Sequence, residues 1–302
     1  MQLILLVVLA ALMVSSAATA RAAFEFSQSQ GIKLESLTLY GTKHTLIYGS
    51  YDTGLRYILT DQFKIGADLG LDYTQLDEEN GGASYLTGVI DSRYGKISIG
   101  KPRLVMPAVF DAPELGGSRM LDLLQGRSRE EWQIIGAFFS KVPPLHGMRY
   151  DGKFGQIEIA AAMQNLGTEE KWVRAAALSY QFGAQSISVG RTTIDLNKSR
   201  AAMTKLALRF AHGRIAGGLM ASRKELFGFR EKIINAFLSY DISDHVAVNA
   251  QVFHVTLNHQ SYVDWGADVV YRHNSGLFLQ TGIAQLKRQS DRAINLSLGY
   301  KF

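Results

Sequence analysis

Two carboxylates on one irregular stretch are the strongest candidates for chemistry with a solute in this 302-residue chain. Asp111 and Glu114 flank Pro113 and precede the pair Gly116 and Gly117. Carboxylates on a loop either act on passing ions and dipoles or accept hydrogen bonds from the loop's own backbone. Both readings stay open from the sequence alone.

The stretch that carries them, residues 102–131, shows no period of two, although alternation precedes and follows it. A loop of this length inside a folded domain is usually functional or disordered. Its apolar residues, among them Phe110 and Leu115, favour a folded and functional loop. The competing interpretation is an ordinary surface excursion.

Other reactive groups are weaker candidates. Ser261 near His259 and His254 is the best nucleophile and base combination, but it lacks an elbow motif and a nearby orienting acid. The run 77–80 (DEEN) offers oxygen ligands for calcium, but a solvated charge run is the favoured interpretation. No other cofactor is expected. The absence of cysteine excludes disulfides, thiol catalysis and cysteine-ligated metals.

Net charge and the N-terminal sequence narrow the class of protein further. A net charge of +5 without a basic stripe and interleaved aromatic residues does not favour a nucleic-acid partner. Residues 3–14 are apolar and precede a run of small residues, which is typical of a secretory signal peptide. We therefore predict a signal peptide at 1–22 and a single domain at 23–302.

Strict alternation is the clearest structural signal, and the last nine residues show it best. One face of this stretch is apolar and the other is polar. The apolar face comprises Ile294, Leu296, Leu298, Tyr300 and Phe302, and the polar face comprises Asn295, Ser297, Gly299 and Lys301. Such a pattern predicts a strand with one face in an apolar environment.

The same alternation recurs in about sixteen segments. In one of them, five apolar residues from Ile65 to Tyr73 oppose a face that includes Asp68 and Asp72. Charged inner faces, apolar outer faces and short turns alternating with longer loops predict a transmembrane antiparallel β-barrel. Both ends of the chain then lie on the periplasmic side of a Gram-negative outer membrane. A soluble β-sandwich is the alternative.

Within such a barrel, residues 102–131 would form the third loop, folded into the lumen to narrow the pore. Alternation places Arg56, Arg149, Lys205 and Arg209 on the inner face. It also predicts that Leu37 and Leu39 face outward. The pattern breaks at two arginines, Arg174 and Arg191, which fall on the outer face; either a β-bulge shifts the register there or they lie near an interface.

With these residues in hand, the chain resembles the general diffusion porins of Gram-negative outer membranes, and in particular the compact ones of alphaproteobacteria. Two places carry the resemblance. Residues 113–117 read PELGG, similar to a PEFGG-like segment in the family's third loop, and the final strand ends in Phe302, as in the family's assembly signal.

The resemblance implies a homotrimer in outer-membrane lipid and passive passage of small hydrophilic solutes and ions. It also implies a field across the constriction, with Asp111 and Glu114 on the acidic side, Pro113, Gly116 and Gly117 shaping the loop, and basic wall residues opposite. No enzymatic activity is expected. The alternatives are a substrate-specific outer-membrane channel and, further off, a barrel lipase or protease using Ser261. Ion selectivity stays open.

Overall fold

The computed structural model describes residues 24–110, 114–124, 146–165, 171–196, 199–226, 229–287 and 291–301. These residues form a closed barrel of sixteen strands, which confirms the predicted all-β fold. The strands are β1 (Phe24–Leu39), β2 (Thr42–Thr60), β3 (Phe63–Leu76), β4 (Glu79–Ser92), β5 (Gly95–Gly100), β6 (His146–Phe154), β7 (Ile157–Asn165), β8 (Lys171–Phe182), β9 (Gln185–Leu196), β10 (Ser199–His212), β11 (Ile215–Leu226), β12 (Phe229–Asp241), β13 (Val246–Leu257), β14 (Gln260–Arg272), β15 (Leu277–Leu286) and β16 (Asp291–Lys301).

Each strand pairs antiparallel with the next, and β1 pairs with β16 to close the sheet. In that closing seam Leu34 lies opposite Leu298, and Glu35 lies opposite Ser297. The alternation predicted for the last strand is confirmed, because Leu298 is 47% exposed on the outer face whereas Ser297 is fully buried. Closure satisfies the backbone of every strand, so the sheet has no free edge to pair with another chain.

The two faces of the wall have opposite chemistry. Large apolar side chains such as Leu206, Leu208 and Val252 are exposed on the outside, where soluble proteins place polar residues. Polar side chains such as Gln251 and Asp268 are buried on the inside. An apolar band around a polar interior is the pattern of a barrel whose strands cross a lipid bilayer.

The two ends of the barrel differ in their connections. One end has the turns at 61–62, 93–94, 155–156, 183–184, 213–214, 242–245 and 273–276. The other end, hereafter the loop end, carries the connection between β5 and β6, residues 101–145, and the connection at 166–170. Strand β1 begins and strand β16 ends at the turn end.

The connection 101–145 is the third loop of the barrel, and its described part contains three short helical elements. They are α1 (Val105–Val109), a 3-10 turn (Leu115–Gly117) and α2 (Arg119–Leu124). None of the helices in the described residues is long and apolar enough to cross a membrane. The 3-10 turn contacts β13 to β16, α1 contacts β7 to β9, and α2 contacts β1.

The structure corrects the predicted orientation of two leucines in the wall. Leu37 and Leu39 face inward, where they are 0% and 6% exposed, so their predicted outward position was wrong. They pack against Leu115, Met120 and Leu121 of the third loop. A leucine normally marks the lipid face of such a strand, but here the loop supplies an apolar partner on the inside.

No β-bulge is needed to explain the outward position of Arg174 and Arg191. The β8–β9 and β9–β10 ladders run without a register shift through Arg174 and Arg191. Of the two explanations for the pattern break, the position near an interface is therefore the one that remains.

Candidate functional site

The third loop is fastened to the inner wall at two places, and the first fastening is made by wall residues on its backbone. Arg149 donates hydrogen bonds to the carbonyl oxygens of Arg103 and Leu104, at 3.2 and 3.1 Å. Arg209 donates to Val109 O at 3.1 Å, at the C-terminal end of α1. Gln164 Nε2 donates to Pro102 O at 2.5 Å. Charged donors on backbone carbonyls make stronger bonds than neutral donors do.

Small wall residues make room for α1 at the same place. Val105, Met106 and Phe110 are buried against inward-facing alanines of β7 and β8. The alanines in this cluster are Ala160, Ala162, Ala175 and Ala177. A Cβ added at Gly190 would meet Phe110 at 2.7 Å and Met106 at 2.8 Å. The wall thus carries a patch of small residues where α1 packs against it.

The second fastening is the turn Leu115–Gly117, which lies in a notch of the opposite wall. Gly116 and Gly117 have φ of 57° and 70°, in the left-handed region that favours glycine. A Cβ at Gly282 would lie 2.0 Å from Gly116 O, and one at Gly266 would lie 2.5 Å from Gly116 N. Glycines on both sides therefore allow backbone-to-backbone contact between the loop and strands β14 and β15.

Lys33 of β1 ties this turn to the wall by charge. Its ammonium group lies 2.5 Å from Glu114 Oε2, 3.0 Å from Gly117 O and 3.4 Å from Glu35 Oε2. The side chain of Lys33 is 9% exposed, and that of Glu35 is fully buried. A buried cation needs such partners, because removing it from water without them is very costly.

Glu35 in turn holds the start of α2. Its carboxylate accepts hydrogen bonds from the Ser118 hydroxyl, from the Arg119 amide at 3.0 Å and from the Met120 amide at 3.4 Å. The first amides of a helix have no partner within the helix, and a carboxylate there satisfies them. Glu35, a residue of the barrel wall, thus caps α2 in place of a residue of the loop itself.

A charged cavity of about 450 Å³ lies between the first fastening and strands β1 to β6. Arg103 enters it from the loop and bonds Asp52 and Asp72 at 2.7 and 2.5 Å, with its guanidinium 4.2 Å from the centre of the Tyr85 ring. Burial alone would lower the pKa of Arg103, but the Asp72 and Asp52 carboxylates raise it above its ordinary value. Arg103 therefore stays charged at physiological pH.

The remaining charges of this cavity form further opposite pairs. Arg56 lies 2.7 Å from Asp68, and Arg149 lies 2.6 Å from Asp151. Lys96 is more loosely placed, 3.7 Å from Asp68, and its side chain is 37% exposed. The lining of the cavity thus contains both positive and negative side chains, close to one another.

The structure brings some of the predicted site residues together and separates others. Arg56, Arg149, Lys205 and Arg209 all lie on the inner wall, and two of them, Arg149 and Arg209, contact the third loop. Glu114 contacts Lys33 and lies 3.8 Å from Arg119, and within the described part of the chain it forms no ion pair with the four predicted basic residues. Asp111 and Pro113 lie outside the described residues, as do residues 1–22, 125–145 and Phe302.

Sequence reasoning missed the wall residues that hold the loop. Lys33 and Glu35 are two positions apart on a strand, so they share a face with Leu37. That spacing was a usable signal. A leucine that shares one strand face with two charged residues indicates that another part of the chain packs on that face. Arg103 and its partners Asp52 and Asp72 gave no comparable signal, because they lie far apart in sequence.

The weaker candidates find other partners. Ser261 Oγ lies 3.0 Å from Thr256 Oγ1, and no hydrogen bond among the described residues joins it to His254 or His259. Asp77 accepts hydrogen bonds from His44 at 2.8 Å and from the Thr45 amide at 2.8 Å. These bonds lower the pKa of Asp77 below its ordinary value and occupy both of its oxygens. The calcium site at 77–80 stays a prediction.

Comparison with solved structures relates this architecture to known proteins. A porin is 15% identical over 92% of this chain and all of its own, with a TM-score of 0.67. OmpF of Salmonella typhi, in complex with daunomycin, is 8% identical over 92% of this chain and 97% of its own, with a TM-score of 0.69. OmpT of Vibrio cholerae, an outer-membrane protein in trimer form, is 11% identical over 93% of this chain and all of its own, with a TM-score of 0.68.

No protein-family model and no curated protein matches the sequence. At these identities the structural likeness concerns the fold. The fold and the apolar outer band together define a transmembrane β-barrel of the outer-membrane porin architecture.

Proposed function

We propose that the protein is an outer-membrane channel for the passive diffusion of small hydrophilic solutes and ions. One observation carries the proposal: the described parts of the third loop are fastened to the charged inner wall at two separate places. A segment held in this way narrows the lumen without closing it. We expect the remaining passage to be filled with water and lined by charged residues of the inner wall.

The geometry suggests a division of labour between the charges. Arg149, Lys33 and Glu35 are largely buried and bond the loop, so we assign them to its position. Asp52 and Lys96 are 47% and 37% exposed, so we assign them to contact with passing solutes. Opposite charges along one wall orient dipolar solutes and disfavour apolar ones, which gives selection by polarity as well as by size.

Asp111 and Glu114 retain their proposed place on the acidic side of the constriction. Glu114 is 25% exposed beside Lys33, which lets its carboxylate act on the passage while it holds the turn. Arg56, Lys205 and Arg209 are proposed as basic wall residues. We further propose a homotrimer, supported by the description of the similar Vibrio cholerae protein as a trimer form.

Single-channel recording tests the function directly. The refolded protein in planar bilayers is expected to show ohmic steps that occur in threes. The double variant Asp111→Asn/Glu114→Gln should move the reversal potential in a salt gradient toward anions, because two negative charges leave the passage and Lys33 keeps only Glu35 as a carboxylate partner. The measurement is the reversal potential under a tenfold salt gradient.

Two results would contradict this assignment. A correctly folded, heat-modifiable barrel without conductance would reject the diffusion channel, and lipid hydrolysis would then be assayed. Conductance with an unchanged reversal potential in the double variant would keep the channel and reduce both carboxylates to loop structure.

The exposed charges of the wall should act on selectivity in opposite directions. Lys96→Gln is expected to move the reversal potential toward cations, and Asp52→Asn toward anions, because each removes one charge that faces water. Lys43→Gln, on the outer face, is the matched control and should leave the reversal potential unchanged. A shift in Lys43→Gln as large as that in Lys96→Gln would show that total charge, rather than position in the lumen, sets the selectivity.

A further inference from the structure

The outer face of the barrel carries a cluster of charged residues at the loop end of five consecutive strands, β8 to β12. We call it the outer basic patch. Its cations are Arg174, Arg191, Arg200, Arg223, Arg230 and Lys232, and its carboxylates are Asp195 and Glu225. Six cations against two carboxylates leave a local excess of four positive charges. This is the surface to which the two arginines that break the alternation belong.

Strand register turns these residues into rows. Thr204 lies opposite both Arg191 and Arg223, and Arg223 lies opposite Lys232. One row across four strands therefore reads Arg191, Thr204, Arg223, Lys232. With neighbouring strands about 4.8 Å apart, its outer cations are separated by roughly 14 Å.

The carboxylates of the patch do not neutralise it. Asp195 is shared between Arg174 at 3.4 Å and Arg200 at 3.6 Å, and Glu225 pairs with Arg223 and is attracted more weakly by Arg230 and Arg191. In the described part of the chain no salt bridge involves Arg191, Arg230 or Lys232. An exposed cation on a lipid-facing strand costs about 2–4 kcal/mol at the bilayer midplane and about 0–1 kcal/mol near the interface, so these cations belong at the headgroup level.

A hollow of about 580 Å³ opens on the outer wall directly beside the row. Small side chains, Ala202, Thr204 and Ala221, form its floor, and Leu206 and Ile234 extend it away from the charges. Three cations, Arg191, Arg223 and Lys232, and one carboxylate, Glu225, stand around it. A hollow with cations at one end and apolar residues at the other matches a headgroup with an acyl chain attached.

The opposite end of the same strands is different. There the outward residues are aromatic, among them Tyr180, Phe182, Phe210 and Tyr240. Aromatic girdles suit both interfaces of a bilayer without preference for a charged headgroup. At the patch end of these strands Trp172 also faces outward, but the arginines outnumber it, which points to a leaflet whose headgroups carry negative charge. Because longer loops of such barrels face the outside, that leaflet is the outer one.

We propose that the outer basic patch binds a phosphorylated lipid of the outer leaflet that carries two phosphates on its headgroup, with one acyl chain lying in the hollow. Arginine binds phosphate through paired N–H donors. A row roughly 14 Å long exceeds the reach of a single phosphate, which is why two are required. The inference needs the barrel to lie in the outer membrane, and it does not depend on channel function.

The test compares binding of diphosphoryl lipid A by the refolded protein and by the variant Arg191→Gln/Arg223→Gln/Lys232→Gln, using native mass spectrometry with a lipid titration. We expect the variant to bind at least tenfold more weakly. The matched control, Lys43→Gln/Arg292→Gln/Arg93→Gln, removes the same charge elsewhere and should bind like the wild type. Channel conductance of the same samples should not change, because the patch lies outside the lumen.

A second variant should change lipid binding in the opposite direction, and it keeps the test possible if the triple variant does not fold. Asp195→Asn frees Arg174 and Arg200 and is expected to strengthen binding. Equal binding by the wild type, the patch variant and Asp195→Asn would overturn the proposal. So would equal affinity for monophosphoryl lipid A, which would remove the need for two phosphates, or displacement of the lipid by millimolar inorganic phosphate, which would indicate a site for the free anion. Loss of conductance with intact lipid binding would reject only the channel.

Discussion

Replacing Gly282 with alanine is expected to displace the Leu115–Gly117 turn from the inner wall and to widen the channel. The new Cβ would lie 2.0 Å from Gly116 O and 2.8 Å from Ala267 O, and both are backbone atoms that cannot turn aside. The turn has to leave its notch, and Leu115, Met120 and Leu121 then lose their burial. Each such side chain contributes roughly 1.5–3 kcal/mol when fully buried, so the second fastening of the loop loses much of its stability.

Two measurements follow from this displacement. Single-channel conductance should rise on the order of twofold, because the narrowest section of a water-filled pore limits its current. Limited proteolysis from the loop side should cut the third loop faster than in the wild type, and this readout does not depend on channel function.

Gly31→Ala is the matched control on the same inner face. Its new Cβ would meet Tyr300 O at 3.6 Å and Ser50 Oγ at 3.7 Å, which are ordinary contacts. Conductance and proteolysis should stay at wild-type values. A folded Gly282→Ala barrel with both values unchanged would show that the glycine notch does not position the loop.

Lys33→Met is expected to release the same end of the loop by leaving charge without a partner. Glu35 is fully buried, and without Lys33 its carboxylate and that of Glu114 face each other with no cation between them except Arg119. Removing one partner from a buried ion pair costs about 3–5 kcal/mol, since the other charge stays in a place poor in water. The temperature of heat modification on gels should fall, and the loop should become open to protease.

The second site of this pair supplies an internal check. Adding Glu35→Gln to Lys33→Met should recover part of the lost stability, because the uncompensated buried charge disappears while the amide can still accept a hydrogen bond at α2. The exposed pair of Lys64 and Glu25, 2.7 Å apart, is the control: Lys64→Met should cost about 0–1 kcal/mol. If Lys33→Met costs no more than Lys64→Met, the buried cluster does not hold the loop.

These two predictions concern the part of the protein that sequence reasoning described least well. The position of the PELGG motif within the third loop was apparent, and the glycines at 116 and 117 do adopt a conformation that favours glycine. What they pack against was not apparent. Gly116 meets strands β14 and β15, which lie about 150 residues further along the chain, and no local pattern carries that information.

Alternation along each strand was enough to predict the barrel. A period of two needs only neighbouring residues to be compared, so strand number, closure and the inward direction of Arg56, Arg149, Lys205 and Arg209 could be read from the sequence. The same reasoning failed at Leu37 and Leu39, because it assumed that every apolar face meets lipid. Here the apolar face meets the loop inside the barrel.

The sequence by itself therefore determined the wall: sixteen strands, an apolar outside and a charged inside, because the membrane imposes one rule on every strand. The tertiary structure alone decided how the third loop is held. Glu114 bonds Lys33, 81 positions away, and Arg149 and Arg209 bond loop carbonyls rather than facing open water. Such contacts depend on closure of the sheet, which brings distant strands to opposite sides of one narrow space.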